Sequence, residues 1–557
     1  MRMRTAKAIS ILLVAASLAA AQALNSSDGD GVPDIWKTNG YLDVTLNGQM
    51  ARIDLATLGV RKGTKAVIVW VDWMAAPDHT HKPVPSSDKQ PVPAGTVGTP
   101  HAIEDKPLQR VVRAFAGSGA DGGKGTTLAL IWADQVPWPN MPFTPIPEQQ
   151  GLGGTILGAD GFLHYDWTAF DAIQASRFPP GLFGHGVHYA AFIHQMKGLT
   201  NTGLSKTVPG DEFLVSLGAL ANKVGDVDDQ CGTFMHELGH NLGLNHGGFD
   251  DIGYKPNYLS VMNYMFQRVG VANFSIYGHF DYSRFALEDV DENALRNNVG
   301  LSQNASQITY GTAHVCTRGA PPACGSQTYS TPAYNLVWQL NCPVDWKCAG
   351  ITNGTDLCPL PSDIQPETFA QDVNGDGCLG ALHGYDDWSN LVYWTPPVVG
   401  GGETIRRELS PTGELDALKP TLITRLTVPQ VQAVPGNGGV QVSWSRIPLQ
   451  RVLGYEVLRR GPSGATLIVR RTKKSEFVDR TAAAGVKYLY SVRPVFAADA
   501  KEEAASLLAS VKDAVVTDAQ LFEQRAKNHD LLPPGTQLLR GKATPAAAAV
   551  HLPGPQK

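Results

Sequence analysis

His236-Glu237-Leu238-Gly239-His240-Asn241-Leu242-Gly243-Leu244-Asn245-His246 decides how the rest of this chain is read. On an α-helix, positions i and i+4 share a face, so His236 and His240 can turn their imidazoles toward one metal ion, while Glu237 flanks that ion without binding it. Gly243 can take φ > 0, which ends the helix and lets the chain reverse, so that His246 returns as a third ligand. Three protein ligands leave a fourth coordination position open to water, the mark of catalytic rather than structural zinc. The metal lowers the pKa of bound water to about 7 and leaves room for a substrate carbonyl. Glu237 is then placed to take the proton. With 15 histidines in 557 residues, chance placement of five fixed residues in this order is expected in fewer than about one chain in ten thousand. The histidines therefore read as ligands rather than as packed side chains.

Met262 lies sixteen residues past His246, within Ser260-Val261-Met262-Asn263-Tyr264. With this segment the chain resembles the metzincin clan of zinc peptidases, which place a methionine turn beneath the zinc. The resemblance implies that Met262 forms the hydrophobic floor under the three imidazoles. It also implies that Tyr264, matching a tyrosine carried beside the metal in serralysins and astacins, stabilises the oxyanion. Gly247 follows the third histidine where astacins have glutamate, matrixins serine and reprolysins aspartate, so the resemblance is to the clan and to no one family. The wording Tyr258-Leu259-Ser260-Val261-Met262-Asn263-Tyr264 after Lys255-Pro256 is similar to that of secreted bacterial metzincin-like proteins, over about residues 27–390. The expected activity is hydrolysis of peptide bonds by zinc, water and a glutamate base.

Arg2, Arg4 and Lys7 precede an apolar run from Ala8 to Ala20, and Ala21-Gln22-Ala23 supplies a small-x-small cleavage site, so residues 1–23 read as a signal peptide. The run is too short for a membrane anchor, and no other segment reaches about 18 apolar residues. A secreted, extracellular chain without a membrane anchor is expected. The 46 Lys and Arg stand against 51 Asp and Glu with no basic run, which argues against nucleic acid as a partner. Protein or peptide substrates fit better.

The expected fold class is α+β. A metzincin-like catalytic domain spans residues 61–397, with strands at Ala66 to Trp73, Thr126 to Trp132, Val187 to Ile193 and Phe213 to Leu217. Leu108, Val111, Val112 and Phe115 recur at i, i+3, i+4 and i+7, the pattern of an amphipathic helix. The resemblance implies a twisted sheet backing the active-site helix and an irregular lower part after His246. Cys316, Cys324, Cys342, Cys348, Cys358 and Cys378 crowd into that lower part, an even cluster that in an exported chain reads as disulfides. Six cysteines allow 15 connectivities; sequence proximity favours Cys316 with Cys324, Cys342 with Cys348, and Cys358 with Cys378. Cys231 is the odd one, read as a buried small hydrophobe.

Two acidic loops are candidate calcium sites. Ser26, Asp28, Asp30 and Asp34 take positions one, three, five and nine of a loop turning at Gly31, in a short segment at 24–60. Lys37 stands at position twelve, where an EF-hand has glutamate. Asp372, Asn374 and Asp376, followed by Gly377, repeat the spacing, with His383, Asp386 or Asp387 to complete the shell. The pairs His79 with His81 and His185 with His188 could form a second, structural zinc site, but they read as solvated loop histidines.

Gly400-Gly401-Gly402 opens a linker at 398–424. Period-two alternation in Val440 to Trp444, Gly454 to Leu458 and Lys487 to Val492 then resembles fibronectin type III strands, in a domain at 425–516. Its role is that of a spacer, or of a docking unit for an extracellular partner. The tail at 517–557 reads as poorly ordered. The alternative function is a calcium-dependent extracellular binding or adhesion protein on a non-catalytic metzincin scaffold. The intact Glu237 favours the enzyme, because a binding module needs no base beside an open metal position.

Overall fold

The computed structural model describes residues 25–83, 107–118, 125–316, 333–347 and 366–393 with short interior gaps, strands between 431 and 496, and 547–551. The expected signal peptide at 1–23, the linker at 398–424 and most of the tail lie outside these residues.

The first unit is mixed α+β. Helix α1 (Asp34–Asn39) leads into a hairpin of β1 (Tyr41–Leu46) and β2 (Gln49–Asp54). Next come β3 (Lys65–Ala75), helix α2 (Pro107–Ala116), β4 (Thr126–Trp132) and the short β5 (Ile146–Pro147). A hairpin of β6 (Thr155–Leu157) and β7 (Leu163–Tyr165), helix α3 (Thr168–Arg177), β8 (Val187–Ile193), β9 (Gly203–Ser205), β10 (Glu212–Ser216) and helix α4 (Val227–Asn241) complete it. The main sheet runs β4-β3-β8-β10-β9, with β5 also paired to β3. All its pairings are parallel except β10 with β9.

Parallel strands covered on both faces are apolar at most positions, and β3 shows why, its buried Asp72 being paired with Arg177. Its even positions, Ala66, Ile68, Trp70 and Met74, enter one core. Its odd positions, Val67, Val69, Val71 and Trp73, enter the other. In β8, Tyr189 and Ala191 face the first core, whereas Ala190 and Phe192 face the second. The second core receives α4 through Cys231, Phe234, Met235 and Leu238, and α2 through Leu108, Val111 and Phe115. Pro107 opens α2 at a position where its missing N–H costs nothing. Asp228 and Asp229 in the first turn of α4 suit the positive end of the helix dipole. They are held by Arg110 Nη1 at 2.6 Å and Arg268 Nε at 2.9 Å.

Residues 25–60 are not a separate segment, because Val32, Leu42, Val44, Ile53, Leu55 and Val60 share a core with Ile68 and Trp70 of β3. The acidic loop at its start is closed by the chain's own cation. Lys37 Nζ, fully buried, lies 2.7 Å from Asp28 Oδ2 and 2.5 Å from Asp30 Oδ2. Asp30 also accepts hydrogen bonds from the backbone N–H of Val32 (3.1 Å) and Ala66 (2.7 Å). Asp34 points away and accepts from Ser27 N at 2.9 Å. Where the loop spacing suggested calcium, an ammonium stands.

Beyond α4 the chain is irregular, with short paired strands around Tyr254, Phe266, Val337 and Trp346. Cys342 and Cys378 each take part in a disulfide, while Cys324, Cys348, Cys358 and the side chain of Cys316 fall outside the described residues. Cys231 is free and buried. The second acidic stretch is a set of turns: Asp372 accepts from Gly375 N at 2.5 Å and Gly377 N at 2.9 Å. Asn374 donates to Asp376 Oδ2 at 3.1 Å. His383 pairs instead with Asp289, Asp386 accepts from Ser389 N, and Asp387 is buried elsewhere. Among the described residues, Asp372, Asn374 and Asp376 thus bond within their own turn, and His383, Asp386 and Asp387 bond elsewhere.

The C-terminal strands form a three-stranded and a four-stranded antiparallel sheet sharing the core residues Val440, Val442, Trp444, Tyr455, Val457, Tyr490 and Val492. The fourth strand of the larger sheet is Ala547–His551, paired with Lys487 to Ser491. It comes from the stretch expected to be a poorly ordered tail. Backbone pairing requires no side-chain alternation, so an alanine run can supply a strand that periodicity does not reveal. Among the described residues no helix is long and apolar enough to cross a membrane.

The buried Lys37 makes a direct prediction. Lys37→Met leaves the carboxylates of Asp28 and Asp30 without their cation and should destabilise the first unit by about 3–5 kcal/mol, the usual consequence of removing one partner of a buried pair. Chemical denaturation of the full chain measures it, and a change below about 1 kcal/mol would show that the pair does not hold the loop.

Candidate metal centre

His236 and His240 lie one turn apart on α4, and Gly243, at φ +87°, reverses the chain toward His246. The three imidazoles form one cluster, with ligand atoms within 4.8 Å of one another. Their rings meet at centroid distances of 4.7, 4.8 and 5.3 Å. Each ring is oriented by a contact on its Nδ1: His236 to the carbonyl of Val261 at 2.9 Å, His240 to the carbonyl of Leu244 at 2.7 Å, and His246 to Asp251 Oδ1 at 2.7 Å. An acceptor on Nδ1 holds the proton there and leaves the Nε2 lone pair for a metal. His236 and His240 accordingly bring their Nε2 atoms to 3.1 Å. Burial, reinforced by the neighbouring His240 and His246 imidazoles, pushes the pKa of His236 far below its ordinary value. A neutral imidazole is the form that binds a metal, so the donor set fits a zinc-type ion.

Met262 is fully buried under α4, and its packing explains a glycine inside the motif. A Cβ at Gly239 would stand 2.2 Å from Met262 Sδ and 3.1 Å from Tyr282. One face of the helix carries a second such position seven residues earlier, since a Cβ at Gly232 would stand 1.6 Å from the carbonyl oxygen of Gln267. Gly232 and Gly239 thus let residues 262–267 press directly on the helix beside His236. That segment is fixed by Asn263, whose side chain donates to the carbonyls of Lys255 (2.8 Å) and Tyr258 (2.9 Å) and accepts from Met265 N. Tyr258 Oη in turn donates to Asp387 at 2.8 Å, a carboxyl that burial pushes up to about 7.

Tyr264 follows from this turn, with its Oη 2.8 Å from His246 Nε2. Glu237 is fully buried and packs on β9, where a Cβ at Gly203 would stand 2.4 Å from Glu237 Oε1. Gly247 has its own reason, since a Cβ there would meet Asp250 Oδ1 at 1.9 Å and Lys255 Nζ at 2.8 Å. Lys255 Nζ is buried between Asp250 and the Gly247 carbonyl, closing the loop that carries His246 and Asp251.

All the residues expected around the metal are therefore brought together: His236, His240, His246, Glu237, Tyr264, Gly243 and Met262. The supporting contacts of Asp251, Asn263, Gly203 and Asp387 at this cluster are not legible in the sequence. Of the remaining histidines, His185 lies against Trp36 and does not pair with His188. His188 is buried, contacts Asn241 Oδ1 at 3.1 Å through Nδ1, and is lowered to about 4 by burial. His79 and His81 do meet, in company with two residues from elsewhere. No protein-family model matches the chain, and no curated protein is significantly similar to it.

The contact on His246 Nδ1 is open to test. Contacts of this kind typically contribute 10- to 100-fold in metal affinity, so Asp251→Ala should weaken zinc binding at this cluster by about that factor. Competition against a chromophoric chelator measures the affinity, and an unchanged value would show that Asp251 does not orient the ring.

Proposed function

We propose that the chain is a secreted zinc-dependent endopeptidase of the metzincin type, hydrolysing peptide bonds within proteins. The carrying observation is the convergence of His236, His240 and His246, with Glu237 on the same helix and Tyr264 Oη 2.8 Å from the third imidazole. His236, His240 and His246 would hold a zinc ion, which would supply Lewis-acid chemistry toward water and the scissile carbonyl.

The chain's own groups supply the rest. Glu237, next in sequence to the first ligand, takes the proton of the attacking water and delivers it to the departing amine nitrogen. The Tyr264 hydroxyl donates a hydrogen bond to the oxyanion as it forms, stabilising charge that is absent in the ground state. Met262 and Tyr282 pack beneath the helix and keep the side of the imidazoles away from the substrate dry. The resemblance of the sequence at 425–516 to fibronectin type III strands supports a spacer or docking role outside the reaction.

In the full chain, Glu237→Gln should lower hydrolysis of an unstructured protein by at least about 10²-fold, the usual contribution of a positioned acid-base group, with zinc content and unfolding midpoint retained. Tyr264→Phe should lower turnover less and also spare the metal. His240→Ala should lose one zinc equivalent and all hydrolysis. Full activity in Glu237→Gln would refute the mechanism.

A further inference from the structure

His79, His81, Glu148 and His194 meet at one end of the main sheet, and their ligand atoms lie within 4.8 Å of one another. From this convergence we infer that the chain holds a second divalent metal ion, of the zinc class, in a closed structural site made by these four side chains.

The residues come from three places in the fold. His79 and His81 lie on the tight turn that follows β3, closed by Ala76 N donating to the His79 carbonyl and His81 N donating to the Met74 carbonyl, each at 2.9 Å. Glu148 directly follows β5, and its N–H donates to the Ala75 carbonyl at 3.1 Å. His194 directly follows β8, and its carbonyl accepts from Gly218 N at 2.7 Å. Because β5 and β8 both run parallel to β3, these C-terminal ends fall side by side. The backbone positions the ligands before any ion arrives.

The separations fit a four-coordinate ion. Glu148 Oε2 lies 2.8 Å from His79 Nε2 and 3.2 Å from His81 Nε2. His194 Nδ1 lies 3.2 Å from His81 Nε2 and 3.6 Å from Glu148 Oε1. Ligand atoms about 2.0–2.1 Å from zinc at tetrahedral angles stand about 3.3–3.4 Å apart, and the observed values bracket that distance. The rings meet edge-on at centroid distances of 5.0, 5.1 and 5.8 Å, close to the spacing at the first cluster. His79 Nδ1 lies 2.9 Å from Asp78 Oδ1, which holds the proton on that nitrogen and turns Nε2 inward. His79 Nε2 is buried and makes no directed hydrogen bond despite its short approach to Glu148. An atom so placed is oriented for a cation rather than for a carboxylate.

Side-chain exposures of 18% for His79, 3% for His81 and 5% for Glu148 and His194 leave little room for water as a fifth partner. Four protein ligands leave no open position, so the ion staples the β3 turn, β5 and β8 together and takes no part in hydrolysis. Three imidazoles and one carboxylate favour zinc over calcium, which takes six to eight oxygens.

Metal analysis of the purified full chain, refolded or expressed with zinc and dialysed, tests the site. The wild type should carry two zinc ions per chain. His81→Gln and Glu148→Gln should each carry one, His240→Ala one, and the double variant His81→Gln/His240→Ala none. Cobalt substituted into His240→Ala should give the absorption of a tetrahedral ion, and His81→Gln should unfold at lower temperature than the wild type. A wild type with one zinc, together with a His240→Ala variant holding none, would overturn this proposal and leave the first cluster standing. One zinc in the wild type that survives His240→Ala and disappears in Glu148→Gln would do the reverse.

Discussion

Everything at the first histidine cluster depends on what holds the far side of each ring. An imidazole on a helix can rotate about two bonds, and two imidazoles one turn apart converge only if something fixes both. Here the fixing atoms belong to three different stretches: the Val261 carbonyl of the methionine turn, the Leu244 carbonyl just past the helix, and the Asp251 carboxylate of the following loop. The cluster is therefore a product of the lower, irregular part of the fold as much as of α4. Disturbing the packing of residues 254–266 would release a ring rather than delete a ligand.

That dependence explains why so much of the lower part around the cluster is polar, buried and hydrogen-bonded. Asn263 is fully buried with its side chain bonded to two carbonyls and one N–H. Lys255, fully buried, is neutralised by Asp250 and bonded to Gly247. Segments without ladder hydrogen bonds must satisfy their backbone groups in some other way, and side-chain amides, carboxylates and an ammonium do so here. The same device closes the N-terminal loop, where Lys37 sits among carboxylates. In both places a charged side chain does locally what an ion could do, and it does so without depending on the ionic composition outside.

The legibility of these features follows their physical range. The strands expected at Thr126 to Trp132 and Val187 to Ile193 coincide with β4 and β8, and the one expected from Ala66 to Trp73 runs Lys65–Ala75, because two covered faces force a mostly apolar run even where Asp72 or His188 interrupts it. The helix carrying Leu108, Val111, Val112 and Phe115 was legible from its period alone. Contacts made across the chain were not. Asp251 is an ordinary loop carboxylate in sequence, and nothing near Asp387 marks it as the partner of Tyr258, 129 positions away. The loop at 26–37 has the spacing of a cation loop, and the residue at its position twelve, Lys37, brings a positive charge of its own. A polar loop and a hairpin look separable in sequence, whereas the apolar faces of residues 25–60 share one core with β3.

The two histidine clusters set this limit most clearly. In the first, His236, Glu237 and His240 lie on one helix and His246 follows a single turn, so local geometry nearly assembles the group by itself. In the second, His79 and His81 flank Thr80 on a short turn, whereas Glu148 and His194 follow two other strands, and only the parallel order β5, β3, β8 brings them together. Sequence spacing reveals a site when a single element of secondary structure supplies the ligands. A site built from the ends of several strands has no spacing to read, since its register is the register of the sheet. Histidines that look like isolated loop residues therefore gain meaning from the strand each one terminates.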